Sequence, residues 1–279
     1  MQLALAPALA PAGHHPSPEP PGPAQDRALP DDLQTSVWRG SELGRTASSA
    51  VSPSGWATLD SELPGGGWPL HAVTEVLTAQ PGVLEWRLLA PALRPVVASG
   101  GQVVVVGPPR HPHAPGLALE GLDDRQLVWI QAEKPAERLW VTEQLIRSNA
   151  AGAIVAWLPH ARQEQLRRLQ VNAAGCEGLV FLCRPEAARH EASAAPLRVV
   201  ASVGLDWELH LQIVKRRGPA HEGQLVLPSV PAGLASVLTP RLRQPSLLLE
   251  ERLAPTREAG HAVGRPVAVP AARPLAAVR

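Results

Sequence analysis

The sequence predicts an α/β protein, with a mostly parallel sheet covered by helices on both faces and a small antiparallel extension. Three observations carry this prediction: five short runs are mostly apolar without alternation, stretches with helical periodicity separate them, and later runs alternate apolar and polar residues. A strand in a parallel sheet is buried on both sides, so its residues are apolar without alternation. The length of 279 residues is sufficient for one such core with appendages.

The five apolar runs are short enough to be strands, and the stretches between them are long enough to be helices. One of the runs, QVVVVG, contains four consecutive valines. We predict parallel strands at residues 73–77, 102–107, 127–131, 153–158 and 178–183. We predict helices at residues 83–93, 136–149 and 162–174, where apolar side chains recur at helical spacing.

The segment that follows these runs has a different pattern. Trp207, Leu209, Leu211 and Ile213 alternate with Glu208, His210 and Gln212. Residues 197–204 and 207–215 are therefore predicted to be half-exposed antiparallel strands, joined by a short turn at Gly204–Asp206. Residues 223–228 are predicted to add a third strand to this extension.

Composition divides the chain into three parts. Residues 1–35 are rich in Pro, Ala and Gly without periodicity, which predicts a disordered leader. Residues 36–228 hold the predicted strands and helices and form the core. Residues 229–279 are predicted to be a mobile tail rich in Pro, Ala and Arg, with a short amphipathic segment at 241–253. That segment either orders in a partner's groove or folds back on its own domain, and the sequence leaves both alternatives open.

Charge, apolar length and cysteine content argue against several classes of protein. The formal net charge is +1, so no strong overall field recruits nucleic acid or a membrane. No run approaches the ~18 uninterrupted apolar residues of a membrane helix. Cys176 and Cys183 lack metal-ligand spacing and are predicted to be reduced core thiols, which fits a cytoplasmic protein. We predict no metal and no cofactor.

The sequence around the first predicted strand resembles a known family. Residues 54–77, SGWATLDSELPGGGWPLHAVTEVL, resemble the segment that leads to the phosphate loop of RecA-type recombinases, and the similarity continues through residues 101–111 and 127–159. VWRGSEL (37–43) and LQIVKRRG (211–218) resemble more specifically the ImuA family of translesion DNA synthesis-associated proteins, which is also described as SulA-like. The resemblance covers the predicted core.

This resemblance implies a RecA-like fold and a place in the bacterial DNA-damage (SOS) response. The implied partners are an ImuB-type polymerase-like subunit and RecA, joined by an error-prone polymerase in the same complex, and a weak contact with DNA is a further expectation. No membrane partner is expected. The SulA-like description implies an alternative function, which is inhibition of cell division through binding to the tubulin-like division protein.

The loop after the first strand lacks the residues that bind ATP. A phosphate loop requires Gly-x4-Gly-Lys-[Ser/Thr], in which backbone N–H groups and the Lys hold phosphate and the hydroxyl holds Mg²⁺. Here the loop starts at Thr78 and contains Gly82, but Leu84 stands where the Lys is required and Glu85 where the hydroxyl is required. Pro81 removes one more N–H. The sequence therefore predicts a degenerate phosphate loop that holds no cofactor.

Two further sites needed for ATP hydrolysis in RecA-type proteins differ as well. The region after the second strand, where a Glu activates water, is GPPR at 107–110. The fourth strand, where an Asp supports Mg²⁺, ends in Trp157-Leu158-Pro159. No HExxH, GxSxG, CxxC or paired-carboxylate motif occurs. We predict no catalytic residue and no enzymatic activity, and a cryptic nucleotide-binding ATPase stays as the alternative.

Basic and aromatic side chains are the candidate contacts with DNA or a partner. Lys215, Arg216 and Arg217 form the densest basic run, for which a solvated strand end is the alternative explanation. The other candidates are Arg241, Arg243, Trp38 and Trp56. Five further tryptophans are predicted to be core residues, namely Trp68, Trp129, Trp140, Trp157 and Trp207. The connection Arg184–Arg198 occupies the place of a DNA-contacting loop in the RecA fold.

Overall fold

A large sheet of eight strands lies at the centre of the part of the chain that the structure describes. The structure is a computed structural model and describes residues 50–82 and 84–253. The described residues contain ten strands, of which β3 to β10 form the large sheet. They are β1 (Val51–Ser52), β2 (Trp68–Pro69), β3 (Val73–Thr78), β4 (Val103–Val106), β5 (Leu127–Ile130), β6 (Ala153–Trp157), β7 (Leu179–Pro185), β8 (Leu197–Val203), β9 (Glu208–Lys215) and β10 (Leu225–Pro228). The predicted leader at residues 1–35, Trp38 and the tail beyond residue 253 lie outside the described residues.

The strand order of the large sheet is β10–β9–β8–β3–β7–β6–β4–β5. β3 pairs in parallel with β7 and β8, β6 pairs in parallel with β7 and β4, and β4 also pairs in parallel with β5. β9 runs antiparallel to β8 and β10, while β1 and β2 form a separate antiparallel pair. The predicted fold class, a mostly parallel α/β sheet with an antiparallel extension, is confirmed.

β8 differs from its prediction in one respect. It is not half-exposed, because it lies between β3 and β9 and its first five residues are buried. It pairs in parallel with β3 on one side and antiparallel with β9 on the other. β9 does show the predicted alternation, with Leu209, Leu211 and Ile213 buried between half-buried polar residues.

Five of the described helices lie between strands, and three follow β10. They are α1 (Ala57–Glu62), α2 (Glu85–Ala98), α3 (Ala114–Leu119), α4 (Pro135–Ser148), α5 (Gln163–Ala173), α6 (Ala232–Ala235), α7 (Pro240–Arg243) and α8 (Pro245–Leu253). α4, for example, begins with Pro135. Proline has no backbone N–H, and this costs nothing in the first turn of a helix, where the N–H groups have no partner within the helix. α4 ends before Asn149, which adopts a left-handed conformation. None of the described helices is long and apolar enough to cross a membrane.

Helix α2 continues beyond its predicted end at residue 93. It passes through Pro91 and Pro95, each of which removes an internal hydrogen bond, and reaches Ala98. Its apolar face, including the fully buried Leu88 and Leu93, packs on the sheet. We attribute the continuation of the helix to this burial, which offsets the local cost of the prolines.

Alternate residues of the strands pack into two cores on opposite faces of the sheet. Val103 and Val105 of β4 join the cluster that contains the buried residues of α2, whereas Val104 and Val106 join the cluster of α4 and α5. The period of two along a strand produces this division. The helices therefore cover both faces, as predicted.

The tryptophans that were predicted to be core residues do not all lie in the core. Trp68 and Trp157 are buried, and Trp129 and Trp207 are half-buried. Trp140, however, is 62% exposed on the outer face of α4. Its neighbours Leu139 and Val141 in the sequence are apolar, but the helical period directs Leu139 to the sheet and Trp140 away from it.

The described part of the tail, residues 229–253, lies against the core. The Arg87 side chain donates hydrogen bonds to the carbonyls of Trp207 and Ser229, and the Trp207 indole donates to the carbonyl of Leu242 at 2.9 Å. The amphipathic segment forms α7 and α8 and folds back on its own domain, which is one of the two alternatives that the sequence left open.

A closed phosphate-type loop as the candidate functional site

The loop between β3 and α2 lies at the edge of the sheet where α/β proteins bind ligands. The parallel strands β3, β7 and β6 are neighbours in the sheet, and their carboxyl ends all reach this edge. Open α/β sheets bind ligands in the crevice outside these ends. Thr78 ends β3, Trp157 ends β6, and Glu85 begins α2. The loop that the sequence predicts to be a degenerate phosphate loop is therefore in the place where a functional one would be.

The carboxylate of Glu85 fills the centre of this loop. It accepts hydrogen bonds from the Gly82 backbone N–H at 2.8 and 2.9 Å and from the Leu84 N–H at 3.2 Å. It also accepts from the Thr78 hydroxyl at 3.4 Å and from the Trp157 indole N–H at 3.2 Å. Glu85 is 0% exposed. An anion therefore occupies the loop, and that anion belongs to the chain itself.

Gly82 allows the loop to close around the carboxylate. Its φ of +81° lies in the left-handed region that favours glycine. A Cβ at this residue would lie 2.8 Å from the Cγ of Pro109, in the segment after β4. A side chain here would therefore strain the backbone and collide with a rigid ring. Gly82 therefore has a clear structural role in this loop.

The surroundings of Glu85 stabilise a negative charge without a cation. Its donors are electrically neutral, and the carboxylate lies in the first turn of the 14-residue helix α2. The partial positive charge at a helix N-terminus favours an anion. Five hydrogen bonds from four donor groups and this dipole together offset the cost of burying the charge.

Apolar groups stand at the two places where the sequence resemblance to RecA-type proteins predicts a Lys and an Asp. Leu84, at the place of the Lys, is 4% exposed and packs in the core beside α2. Trp157, at the place of the Asp, packs against Trp86 with ring centroids 6.1 Å apart. In the residues that the structure describes, no group of three or more His, Cys, Asp and Glu side chains is arranged to hold a metal ion.

Cys183 lies at the same edge of the sheet, and it is not poised to react. Both cysteines are free and buried, as predicted for core thiols. Burial, with a smaller contribution from the charge of Glu85, raises the pKa of the Cys183 thiol well above its ordinary value. The thiol is therefore protonated at neutral pH, whereas a nucleophilic cysteine needs its thiolate.

The basic run at the end of β9 contacts other parts of the molecule. Lys215 is exposed and donates to the Ser193 carbonyl at 2.8 Å. The Arg216 guanidinium donates to the Pro219 and Glu62 carbonyls and lies 3.5 Å from the Glu62 carboxylate. Arg217 is exposed. Lys215 and Arg216 thus make structural contacts, and a contact with DNA or a partner stays a prediction for this run.

The other candidate contact residues are distant from that run or are part of the core packing. Arg243 donates to the Ala235 carbonyl at 2.6 Å within the tail, and Arg241 is exposed. α7 lies beside Trp207, which precedes the start of β9, whereas the basic run lies at the other end of this strand. An eight-residue strand is about 25 Å long, so the two groups of basic residues are separated by about that distance. Trp56 is half-buried and donates its indole N–H to the Leu88 carbonyl at 2.9 Å.

The arginines at both ends of the 184–198 connection point inward, which the sequence analysis missed. Arg198 Nε lies 2.7 Å from a Glu75 carboxylate oxygen, and Arg184 Nη1 lies 3.7 Å from the other. The Ser193 hydroxyl donates to the same carboxylate at 2.6 Å. Glu75 lies in the middle of the fully buried strand β3. Because a buried charge needs a partner of opposite charge, this glutamate is the feature of the sequence that could have indicated buried arginines. These two side chains are therefore part of a buried ion cluster and cannot contact DNA.

Comparison of the sequence with protein-family models and with curated proteins finds no match.

Proposed function

We propose that this chain is a non-catalytic, RecA-like accessory protein of error-prone translesion DNA synthesis in the bacterial DNA-damage (SOS) response. It acts in the cytoplasm by binding other proteins. The observation that carries the proposal is the Glu85 carboxylate, which lies where a nucleotide phosphate would have to bind. The resemblance of residues 36–228 to the ImuA family supplies the biological context.

Three differences at the ligand-binding edge support the absence of ATPase activity. The loop donors already bind Glu85, so a phosphate would meet a carboxylate rather than free N–H groups. Leu84 brings no cation, and Trp157 brings an indole where Mg²⁺ would need a carboxylate. Each of these differences weakens nucleotide binding through a separate contact. Together they affect the backbone donors, the cation and the Mg²⁺ ligand of a phosphate loop.

The proposed partners are an ImuB-type polymerase-like subunit and RecA, with an error-prone polymerase in the same complex. A RecA-shaped surface docks against RecA, while the tail and the basic run Lys215–Arg217 hold the other partner. Trp140 is a further candidate for these contacts, because an exposed tryptophan is the kind of side chain that anchors protein interfaces.

Recovery of partners from cells treated with a DNA-damaging agent tests the proposal. The tagged full-length chain is expected to recover polymerase subunits and RecA. Recovery of the tubulin-like division protein without polymerase subunits would overturn the proposal and support the SulA-like alternative. The absence of ATPase activity is tested separately. In calorimetry, we expect no binding of ATP at micromolar concentration. In a hydrolysis assay, a release of phosphate that disappears when residues 78–86 are mutated would contradict the proposal.

A further inference from the structure

We propose that the Glu85 carboxylate acts as the built-in ligand of an oxyanion site, and that it holds the loop, β3 and β6 together in place of an external phosphate. The proposal concerns the state of the folded chain, and it is independent of which partners the protein binds. It assigns a role to a residue that the phosphate-loop pattern does not contain.

The carboxylate connects three separate elements. Gly82 and Leu84 contribute backbone N–H groups from the loop, Thr78 contributes a hydroxyl from the end of β3, and Trp157 contributes an indole N–H from the end of β6. Thr78 and Trp157 are 7 and 72 residues away from Glu85 in the chain. A single anion thus joins donors that converge only in the folded structure.

A capping role at the start of α2 does not account for this arrangement. A glutamate near a helix start commonly accepts the backbone N–H three residues before it, as Glu85 does from Gly82. Such a carboxylate is usually on the surface and needs no tertiary donors. Glu85 is 0% exposed and has two of them, Thr78 and Trp157. The contacts resemble those of an enclosed anion more than those of a surface cap.

The donor set defines the chemical class of ligand that could replace the carboxylate. Backbone N–H groups of a glycine-containing loop at a helix N-terminus bind tetrahedral oxyanions such as phosphate and sulfate. Removing the carboxylate leaves these donors buried and unpaired, which is unfavourable. A small oxyanion would satisfy them again, whereas a nucleotide would still lack the Lys and the Mg²⁺ ligands.

Rescue by inorganic phosphate tests the proposal. The melting temperatures of the wild-type chain, Glu85→Ala and Leu93→Ala are measured in sodium phosphate and in sodium chloride of equal ionic strength. Leu93 is fully buried in α2, two turns from the loop, so its truncation weakens the same helix without opening the anion site. This control is necessary because phosphate stabilises most proteins by exclusion from their surface.

We expect phosphate to raise the melting temperature of Glu85→Ala more than that of the other two chains. The additional rise should be about 3 to 6 °C when the phosphate concentration is tenfold above the dissociation constant of phosphate for this variant. The additional rise is expected to saturate. Equal rises for Glu85→Ala and Leu93→Ala would overturn the proposal. If Glu85→Ala does not fold in chloride, we expect it to refold in phosphate, and failure in both buffers counts against the proposal.

Glu85→Gln provides a second test that keeps the volume of the side chain. The amide has one oxygen to accept hydrogen bonds, but its NH₂ group faces a donor. We expect this variant to be less stable than the wild type and to show no additional response to phosphate, since the site remains filled. A Glu85→Gln chain as stable as the wild type would show that the charge has no role, and would also overturn the proposal.

Discussion

Glu75 and Glu85 are both fully buried, and their charges are compensated in different ways. Arg198 and Arg184 surround Glu75, whereas neutral donors and a helix N-terminus surround Glu85. A buried ion pair contributes little net stability, but the loss of one partner leaves an uncompensated charge. The two sites therefore respond differently to substitution of the residues around them.

Removal of the main cation beside Glu75 should destabilise the fold strongly. Replacing Arg198 by Met leaves the Glu75 carboxylate with Arg184 Nη1 at 3.7 Å and the Ser193 hydroxyl. We expect the free energy of unfolding to fall by about 3 to 5 kcal/mol, measured by urea denaturation. The control is Arg189→Met, which removes a partly exposed ion pair with Glu186 and a hydrogen bond to Gln212 and should therefore cost less, about 1 to 2 kcal/mol. Similar losses for both variants would contradict the assignment.

The closed loop depends on glycine at residue 82 for two reasons that can be separated. Gly82→Ala combines an unfavourable φ of +81° with a Cβ that lies 2.8 Å from Pro109. Gly100→Ala shares the unfavourable φ, +83°, but has nothing within 4 Å of the Cβ. We expect Gly100→Ala to lose about 1 to 2 kcal/mol from backbone strain alone, and Gly82→Ala to lose more. Urea denaturation of both variants measures the contribution of the contact, and an equal loss would mean that Pro109 moves aside at no cost.

At the scale of elements, the strands were the most predictable part of the molecule. Each predicted strand occurs, with its ends within two residues of the prediction. Burial on both faces leaves a mostly apolar run in the parallel strands, and burial on one face leaves the alternation of β9, so both kinds of strand are visible in the sequence. The bounds of α2 were less predictable. Its prolines favour an early end, and only its packing against the sheet explains why the helix continues to Ala98.

A carboxylate in the turn between β8 and β9 holds the start of helix α8. Asp206 accepts from the Ser246 backbone N–H at 2.9 Å and from its hydroxyl at 2.7 Å. The hydrogen bond from the Ser246 hydroxyl lowers the pKa of Asp206 most, and the one from the Ser246 backbone N–H lowers it further. A lowered pKa means that this contribution is present above the ordinary pKa of aspartate and is lost as the pH falls through the lowered value.

This attachment predicts a pH dependence that is confined to α8. We expect the Ser246 amide to be protected from hydrogen exchange at neutral pH and to lose protection as the pH falls through the lowered pKa of Asp206, with the sheet still protected. Asp206→Asn should show the weakened protection already at neutral pH. Protection of Ser246 that is unchanged in Asp206→Asn would show that other contacts hold the helix.

At the scale of the whole molecule, the basic candidate contact residues in the described part of the chain lie in two separate places. The run Lys215–Arg217 and the pair Arg241 and Arg243 lie near opposite ends of β9. The net charge of +1 adds no long-range attraction for a polyanion. Any contact with DNA must therefore be local, and we propose that protein partners are the main ligands.

Deletion of residues 240–279 separates the structural role of the tail from its proposed role in binding. The contacts of α7 and α8 with the core are few and lie near solvent, so we expect the free energy of unfolding to change by at most about 1 kcal/mol. Binding to the polymerase-like partner should weaken at least about tenfold, which corresponds to about 1.4 kcal/mol. Both are measured on the same truncated chain. A collapse of stability, or unchanged affinity, would show that the tail serves only its own domain.

The sequence by itself determined the fold class and the strands, because both depend on the local pattern of apolar and polar residues. The tertiary structure alone decided where the buried charges are compensated. Glu85 is close to Trp157, and Glu75 is close to Arg198, only because the sheet places β3 between β7 and β8 with β6 one strand further. Those pairs are 72 and 123 residues apart in the chain, and no local pattern relates them. Glu85 could be recognised in the sequence as a departure from the phosphate-loop pattern, and the place of its carboxylate inside the loop emerged only from the packing.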